Sequence, residues 1–455
     1  MTEEKSMNEK LIILAVVSGV ILNPLNTTMI TVALPAIQND FDLSATGVSW
    51  LIASYFTISA IFTPLIGKLS DRYGRKNIYL IGLVLVTISS ILAPLSGNMP
   101  VLLTMRGIQA IGTSALYPAG IGIIRNTIRH RQNRVIGILS VFGTTTAAFG
   151  PTISGLLIEL GGWPIIFYVN LPVVAIGAAL AVFFIPKGEK NTEDNFKWDG
   201  IGIILFSLFI TVLMMFLLSL KSGFQTGIFI VAVVLGGLFY VYEKRRDVPF
   251  IDVNFFRENL NVTLIYSQYM LTTLIFFTIL LSMPTYLQSA LGASSKMAGI
   301  TMLSLSIFSM FTTPVVTRWM ERAGSRIPLI SSILIGLIGT VLLFSAKQSS
   351  PLYWIAIVLA VFGITYGVQN INLQNLLYSF IDKAESGIAS GLLMTSRFVG
   401  NILASSIYGI AFSTGMNEAN MGKMGVVLLI IVVVMFPGMF YVTRHDESRK
   451  TENRG

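Results

Sequence analysis

Fourteen long apolar runs, separated by short polar breaks, make up most of the chain. They cover residues 11–34, 46–67, 77–97, 101–124, 135–158, 165–185, 199–219, 226–243, 261–287, 297–318, 327–346, 351–377, 386–411 and 424–443. Each is close to the about 20 residues that a helix needs to cross the hydrocarbon of a bilayer. Inside hydrocarbon the backbone must satisfy its own N–H and C=O groups, and a helix does so within one segment. The pattern predicts an all-α membrane protein. An even number of crossings places both termini on the same side.

The positive charges sort themselves by side. Of the 31 Lys and Arg residues, Lys221, Lys296, Lys347 and Lys423 fall in loops on one side, and Arg106 and Arg397 lie within predicted helices. All the others fall in the alternate loops and the termini. Cytoplasmic loops carry the excess of Lys and Arg, so both ends are expected in the cytoplasm of a cell bounded by this membrane.

Composition adds little room for anything else. The 455 residues are 53% hydrophobic and 12% charged, against about 25% charged in a soluble domain. The net charge of +9 belongs to basic loops facing anionic lipid rather than to a nucleic-acid surface. With no cysteine, disulfide, thiol and thiolate–metal chemistry are excluded. There is no Walker loop, zinc-ligand run or nucleophile elbow. The chain reads as no enzyme, with no metal and no cofactor, and its energy is expected from an ion gradient. The first apolar run is too long for a cleavable leader and ends without a small-residue cleavage site. His130 and His445 lie in predicted polar segments.

One polar stretch stands out: GKLSDRYGRK, Gly67 to Lys76, reads as a loop where the chain turns back. Its glycines, Gly67 and Gly74, suit close helix approach and a sharp turn. Thr317, Glu321, Arg322, Gly324 and Arg326 fall at the spacing of Gly67, Asp71, Arg72, Gly74 and Lys76. Two copies at equivalent points suggest two related halves.

The pattern G-x-L-x-D-R-x-G-R-K resembles the signature loop of the major facilitator superfamily of secondary transporters. That superfamily has six helices per half. Here six predicted spans precede Pro186 and six follow Asn261, so the runs 199–219 and 226–243 are extra. With EKRRDVPFIDVNFFR before the next run, the chain resembles the fourteen-helix drug/proton antiporter branch over nearly its whole length. The resemblance implies an N-terminal bundle over 1–185, a linker and two inserted helices over 186–258, a C-terminal bundle over 259–443 and a cytoplasmic tail over 444–455. The spacer 187–198 reads as a plain linker and the tail after Arg444 as disordered.

The resemblance also assigns roles. Gly67, Asp71, Arg72, Gly74, Arg75 and Lys76 would form a charged gate, with Glu321 and Arg322 as its counterpart near Arg134. MRGIQAIGTSALYPAG carries Arg106, a costly intramembrane charge, where the family ties an arginine to proton coupling; snorkelling to the surface is the plainer alternative. Gly137, Gly143, Gly150, Pro151, Ser154 and Gly155 resemble the antiporter motif of exporters, with Ser154 for a glycine. Beyond it, Trp163, Phe167, Asn170 and Pro172 stand in family register.

The first span departs from the family. LNTTMITVALP, Leu25 to Pro35, has Asn26 where the branch has a proton-carrying acid, and Asn26 cannot titrate. None of the 22 acids lies at the middle of a predicted helix. Glu159 is the best placed, Asp40 and Asp42 are more exposed candidates, Asp199 and Glu243 lie at ends of the extra helices, and Glu418 is in a loop. Cavity candidates are Asn26, Met29, Trp50, Tyr55 and Phe56, Tyr266, Gln268 and Tyr269, and the amide-rich run Tyr366, Gln369, Asn370, Asn372 and Gln374. Arg397 and Asn401, one turn apart, complete the set.

The implied function is export of amphipathic, often cationic drugs, dyes or fluoroquinolones in exchange for protons, by alternating access about a site near the midplane. The expected partners are small-molecule substrates, protons and the lipid bilayer of the plasma membrane, with the protein a monomer. The missing acid favours neutral or zwitterionic substrates. Two alternatives are an exporter or flippase of a lipid-like or cell-envelope precursor, and a non-transporting membrane sensor.

Overall fold

The structure is a computed structural model that describes residues 3–128, 132–186, 199–220, 223–246, 249–251, 253–381 and 386–452. Within helices some side chains, those of Asp71, Arg134 and Glu321 among them, are also outside the described set. So are His130, the spacer 187–198 and the side chain of His445.

The described residues are helical throughout, with no strand. In chain order the helices are α1 (Glu3–Val20), α2 (Leu22–Asp40), α3 (Ala45–Tyr73), α4 (Arg75–Leu92), α5 (Met99–Thr127), α6 (Gln132–Gly161), α7 (Ile165–Tyr168), α8 (Asn170–Phe184), α9 (Gly200–Ser219), α10 (Thr226–Lys244), α11 (Val253–Glu258), α12 (Leu260–Ser289), α13 (Ser295–Ala323), α14 (Arg326–Leu343), α15 (Leu352–Phe380), α16 (Ser386–Ala411) and α17 (Glu418–Glu452). Among the described residues, 12 stretches are long and apolar enough to cross a membrane. Helices α6 and α16 occupy the two remaining runs.

Local chemistry sets several of these boundaries. Asn98 caps α5 by accepting from the Val101 N–H at 3.0 Å, and Ser294 caps α13 through the Met297 N–H at 3.3 Å, each satisfying one orphan donor. The first span is two helices, α1 and α2. Pro24 has no N–H to offer the Val20 carbonyl one turn back, so the ladder is interrupted where the two meet.

Three expectations are corrected. The signature stretch is not a loop. Helix α3 runs on to Tyr73, α4 begins at Arg75, and Gly74 alone joins them. Its φ of 92° lies in the region that favours glycine. Polar side chains do not end a helix that has left hydrocarbon, so one glycine is enough to turn the chain. The second copy repeats the design, with Gly324 at φ 70° ending α13. Gly67, by contrast, is no close-approach site, since a Cβ there would meet nothing within 4 Å. The tail is also not irregular: α17 continues to Glu452, because no Gly or Pro follows Gly438 to stop it before Glu452.

The chain divides into two compact units, residues 1–43 with 54–198, and residues 44–53 with 199–455. In the first unit α1 packs on α5 and α8, α4 on α5 and α8, and α2 on α6. Val16, Val20, Leu83, Leu116 and Ile123 lie in its apolar core. In the second, α13 packs on α15, α12 on α15 and α16, and α14 on α15 and α17. Helices α9 and α10 pair with each other, and α9 also meets α16. On α10, Ile230, Val231, Val233, Val234 and Leu238 remain exposed, as suits a helix whose outer face meets lipid tails rather than water.

Candidate functional site

In the first unit a polar knot sits inside an otherwise apolar bundle. Arg106, on α5, is 2% exposed. It does not reach the surface, so the snorkelling alternative fails. Its Nη1 donates to Gln109 Oε1 at 2.6 Å and to the Asn26 carbonyl at 3.4 Å. Gln109 lies one turn further along the same helix face. The guanidinium lies over the Tyr55 ring, 4.3 Å from its centroid, a cation–π arrangement. Its Nε has no partner.

Asn26 is the hub of this knot. Its Oδ1 accepts from Gln109 Nε2 at 2.9 Å and from Asn170 Nδ2 at 2.8 Å. Its Nδ2 donates to the Leu22 carbonyl at 2.7 Å and to Asn170 Oδ1 at 3.0 Å. Asn170, at the start of α8, also reaches Ser90 Oγ at 3.2 Å. Beside them the Tyr55 hydroxyl and Thr113 Oγ1 are 2.7 Å apart, and Asn23 donates to both. The knot thus joins α2, α3, α4, α5 and α8. All its members except Arg106 are neutral. A buried cation held by amides and a ring, without a carboxylate, is a strong fixed positive potential.

The candidate acids lie elsewhere. Asp40 is exposed at the end of α2, where its Oδ2 accepts from Trp163 Nε1 at 2.6 Å. Glu159 is exposed in the last turn of α6. Neither joins the Arg106 knot.

The signature residues tie the first unit together. Arg75 Nη1 donates to the Gly122 carbonyl at 2.5 Å and to Asn126 Oδ1 at 2.8 Å, both on α5. Lys76 Nζ donates to the Val182 and Ile185 carbonyls at 2.8 and 2.6 Å. There a cation meets the orphan carbonyls at the end of α8, as the helix dipole favours. Arg72 is exposed and lies 5.5 Å from the Tyr73 ring centroid. Of Asp71 and Glu321 only the backbone is described, in the last turns of α3 and α13, and Arg322 stands beside Glu321, exposed.

The exporter-like motif on α6 packs against α2. A Cβ on Gly150 would collide with Thr28 Oγ1, and Ser154 Oγ donates to the Met29 carbonyl at 2.7 Å. Pro151 and Gly155 are buried beside them, whereas nothing lies within 4 Å of a Cβ placed on Gly143. Met29 itself is buried.

In the second unit the amides of α15 do cluster. Asn370 Oδ1 accepts from the Tyr269 hydroxyl at 3.0 Å and from Gln374 Nε2 at 3.1 Å. Thr272 donates to Gln369 Oε1 at 2.8 Å, and Tyr366 stacks on Phe276 at 3.8 Å. Asn372 faces away, donating to the Ser325 carbonyl at 3.0 Å. Asn401 is buried on α16, while Arg397, one turn earlier, and Trp50 are half-buried. The sequence reading missed Gln109 and Thr272 as members of these clusters. Gln109 was legible as the i+3 neighbour of Arg106; Thr272 gives no signal before the helices are placed side by side.

Comparison with known proteins bears on what such a bundle is. The family model for the Major Facilitator Superfamily matches residues 16–405 and 265–455. The uncharacterized MFS-type transporter YwoD of Bacillus subtilis (strain 168) is 38% identical over 91% of this chain and 93% of its own. The riboflavin transporter RibZ of Clostridioides difficile (strain 630) is 26% identical over 90% and 89%. The multidrug resistance protein Stp of Mycobacterium tuberculosis (strain CDC 1551 / Oshkosh) is 27% identical over 86% and 73%. In fold, a bacterial homologue of the human lysosomal transporter Spinster, solved inward-facing and occupied, superposes with a TM-score of 0.71 at 15% identity over 95% of this chain and 96% of that one. An all-helical bundle with two glycine-hinged signature turns, an intramembrane arginine and this family match has one reading: the chain belongs to the major facilitator superfamily and is a multi-pass membrane transporter, not an enzyme.

Proposed function

We propose that the protein is a secondary exporter of flat, amphipathic molecules, neutral or zwitterionic, driven by exchange for protons. The observation that carries the substrate class is Arg106, buried and partnered by Asn26, Gln109 and the Tyr55 ring without a carboxylate. A monocation brought near would meet an uncompensated positive charge in a low dielectric, which costs free energy. A zwitterion can turn its anionic end toward the arginine, and a neutral aromatic is indifferent to it. Among the relatives, one is named a riboflavin transporter and another a multidrug resistance protein. The direction of transport rests on the α6 motif, Gly150-Pro151 with Gly155, packed on α2.

In this reading the chain belongs to the fourteen-helix drug/proton antiporter branch, with α9 and α10 as the inserted pair and both termini cytoplasmic. Asp71 and Arg72, with Glu321 and Arg322, gate alternating access. Glu159 or Asp40 carries the proton, and Arg106 responds to it through the field rather than by direct contact. The test is a proteoliposome assay with an imposed pH gradient, comparing fluoroquinolones and riboflavin with monocationic dyes. Gradient-driven movement of the first group and little of the second is expected. Movement of the dyes alone, or no dependence on the gradient, overturns the proposal.

A further inference from the structure

The inserted helices end in a cluster that the transport reading leaves unused. Asp199 precedes α9 and Glu243 sits in the last turn of α10. The Asp199 carboxylate accepts three hydrogen bonds, and Oδ2, which takes one of them, can accept another. Its Oδ1 accepts from the Gly202 N–H at 3.0 Å and from the Tyr242 hydroxyl at 3.0 Å, and its Oδ2 accepts from the Phe250 N–H at 3.1 Å. Glu243 is 0% exposed. Its Oε2 accepts from the Ile251 N–H at 3.3 Å, but its Oε1 is buried with no partner. The two carboxyls converge. The place where a Cβ of Gly202 would stand is within contact of both Glu243 Oε1 and Asp199 Oδ2. Phe206 stacks against Phe239 and Phe250, at 5.5 and 5.6 Å between ring centroids, and closes the apolar side.

Two adjacent carboxyls, one buried and one half-buried, cannot both be anionic without a cost. Among the described residues, Arg246 is held by the Tyr242 hydroxyl, with Nε at 2.8 Å, and that hydroxyl in turn donates to Asp199 Oδ1. Helix α9 brings no titratable side chain. On α10 and just after it, Tyr240, Lys244 and Arg245 are exposed; α11 carries Arg257 and Glu258, and α16 carries Arg397 and Tyr408. Among the described residues, the groups that face Glu243 are Asp199 and, across it, Tyr242 and Arg246. A metal ion needs several oxygen ligands, and here a single carboxylate oxygen lacks a partner. No group of three or more His, Cys, Asp or Glu that could hold a metal occurs among the described residues. A proton needs only two oxygens.

We propose that Asp199 and Glu243 form a proton-binding site, with one proton on Glu243 Oε1 donated to Asp199 Oδ2. The proton comes from the aqueous phase through the half-buried Asp199, and its arrival changes the charge of the pair from two negatives to one. So bound, it ties the start of α9, the end of α10 and the 249–251 segment leading to α12 into one unit. Loss of the proton sets the two anions against each other and loosens that junction. The site stands whatever the protein transports.

The test uses the full-length protein in detergent, by infrared difference spectroscopy and thermal unfolding across pH. The wild type should show a protonated-carboxyl C=O band that disappears on alkalinisation, and a melting temperature that falls with it. Glu243→Gln supplies an amide N–H where the bound proton was. It should lose the band and flatten that part of the melting profile. Asp199→Asn keeps Glu243 but changes its hydrogen-bond partner, so its band should shift in frequency. A band unchanged in both variants overturns the proposal. So does restoration of the alkaline melting temperature by sodium in the wild type but not in Glu243→Gln, which would make the ligand a metal ion.

Discussion

Asn26 and Asn170, 144 positions apart, exchange two hydrogen bonds: each donates its Nδ2 to the other's Oδ1, at 3.0 and 2.8 Å. This closed amide pair fastens the broken first span to the start of α8. It also puts a neutral amide, bridged to Arg106 through Gln109, where the family resemblance expects an acid. An aspartate in its place could donate nothing to the Leu22 carbonyl or to Asn170 Oδ1. The asparagine is thus a structural solution of its own, and it leaves the arginine's charge in place.

Asn26→Ala should leave Gln109 Nε2 and Asn170 Oδ1 without their partners. A buried polar group left without its partner costs about 1–3 kcal/mol. Thermal unfolding of the purified protein should show a clearly lower melting temperature. A double-mutant cycle with Asn170→Ala should show coupling, because the second change removes a partner already lost. Strictly additive losses would mean the pair is not joined.

Asn26→Asp should change substrate preference. A carboxylate beside Arg106 offsets the fixed positive field, so uptake of monocationic dyes into vesicles should rise relative to zwitterions. No change in the dye-to-fluoroquinolone ratio would count against the electrostatic account of selectivity.

Gly150→Ala places a methyl where Thr28 Oγ1 stands. Helices α2 and α6 must then separate, and both stability and flux should fall. Thr28→Ala removes the closest of the offending atoms, so the double variant should recover part of both. A Gly150→Ala variant with normal melting and normal flux would show that the close contact is not needed.

Asp71→Asn and Arg75→Ala should part company. Arg75 holds α4 to α5 through Gly122 and Asn126, so its loss should lower the melting temperature. Asp71, as a gate, should be dispensable for folding, and its neutralisation should cripple flux while leaving melting near wild type. Near-normal flux in Asp71→Asn would end the gating proposal.

Glu159→Gln should abolish the dependence of exchange on the pH gradient. An unchanged gradient dependence in proteoliposomes moves the coupling role to Asp40, whose variant Asp40→Asn is then the one expected to lose it.

The sequence by itself determined the class of the molecule. Runs of about 20 apolar residues admit few structures, because backbone polar groups in hydrocarbon must be satisfied within one helix. The charged punctuation, the two signature stretches and the intramembrane Arg106 were legible for the same reason: each is expensive in a bilayer and so stands out against Leu, Ile and Val. Helices α9 and α10 likewise showed as two apolar runs of their own. Tertiary structure decided which polar groups meet. That Asn26 pairs with Asn170, that Gln109 bridges it to Arg106, that Gly74 rather than Gly67 makes the turn, and that Asp199 and Glu243 converge over Gly202 all depend on helices from distant parts of the chain lying side by side. A hydrogen bond depends on fractions of an ångström between side chains, and the order of residues along one helix carries no record of the rotation of its neighbour.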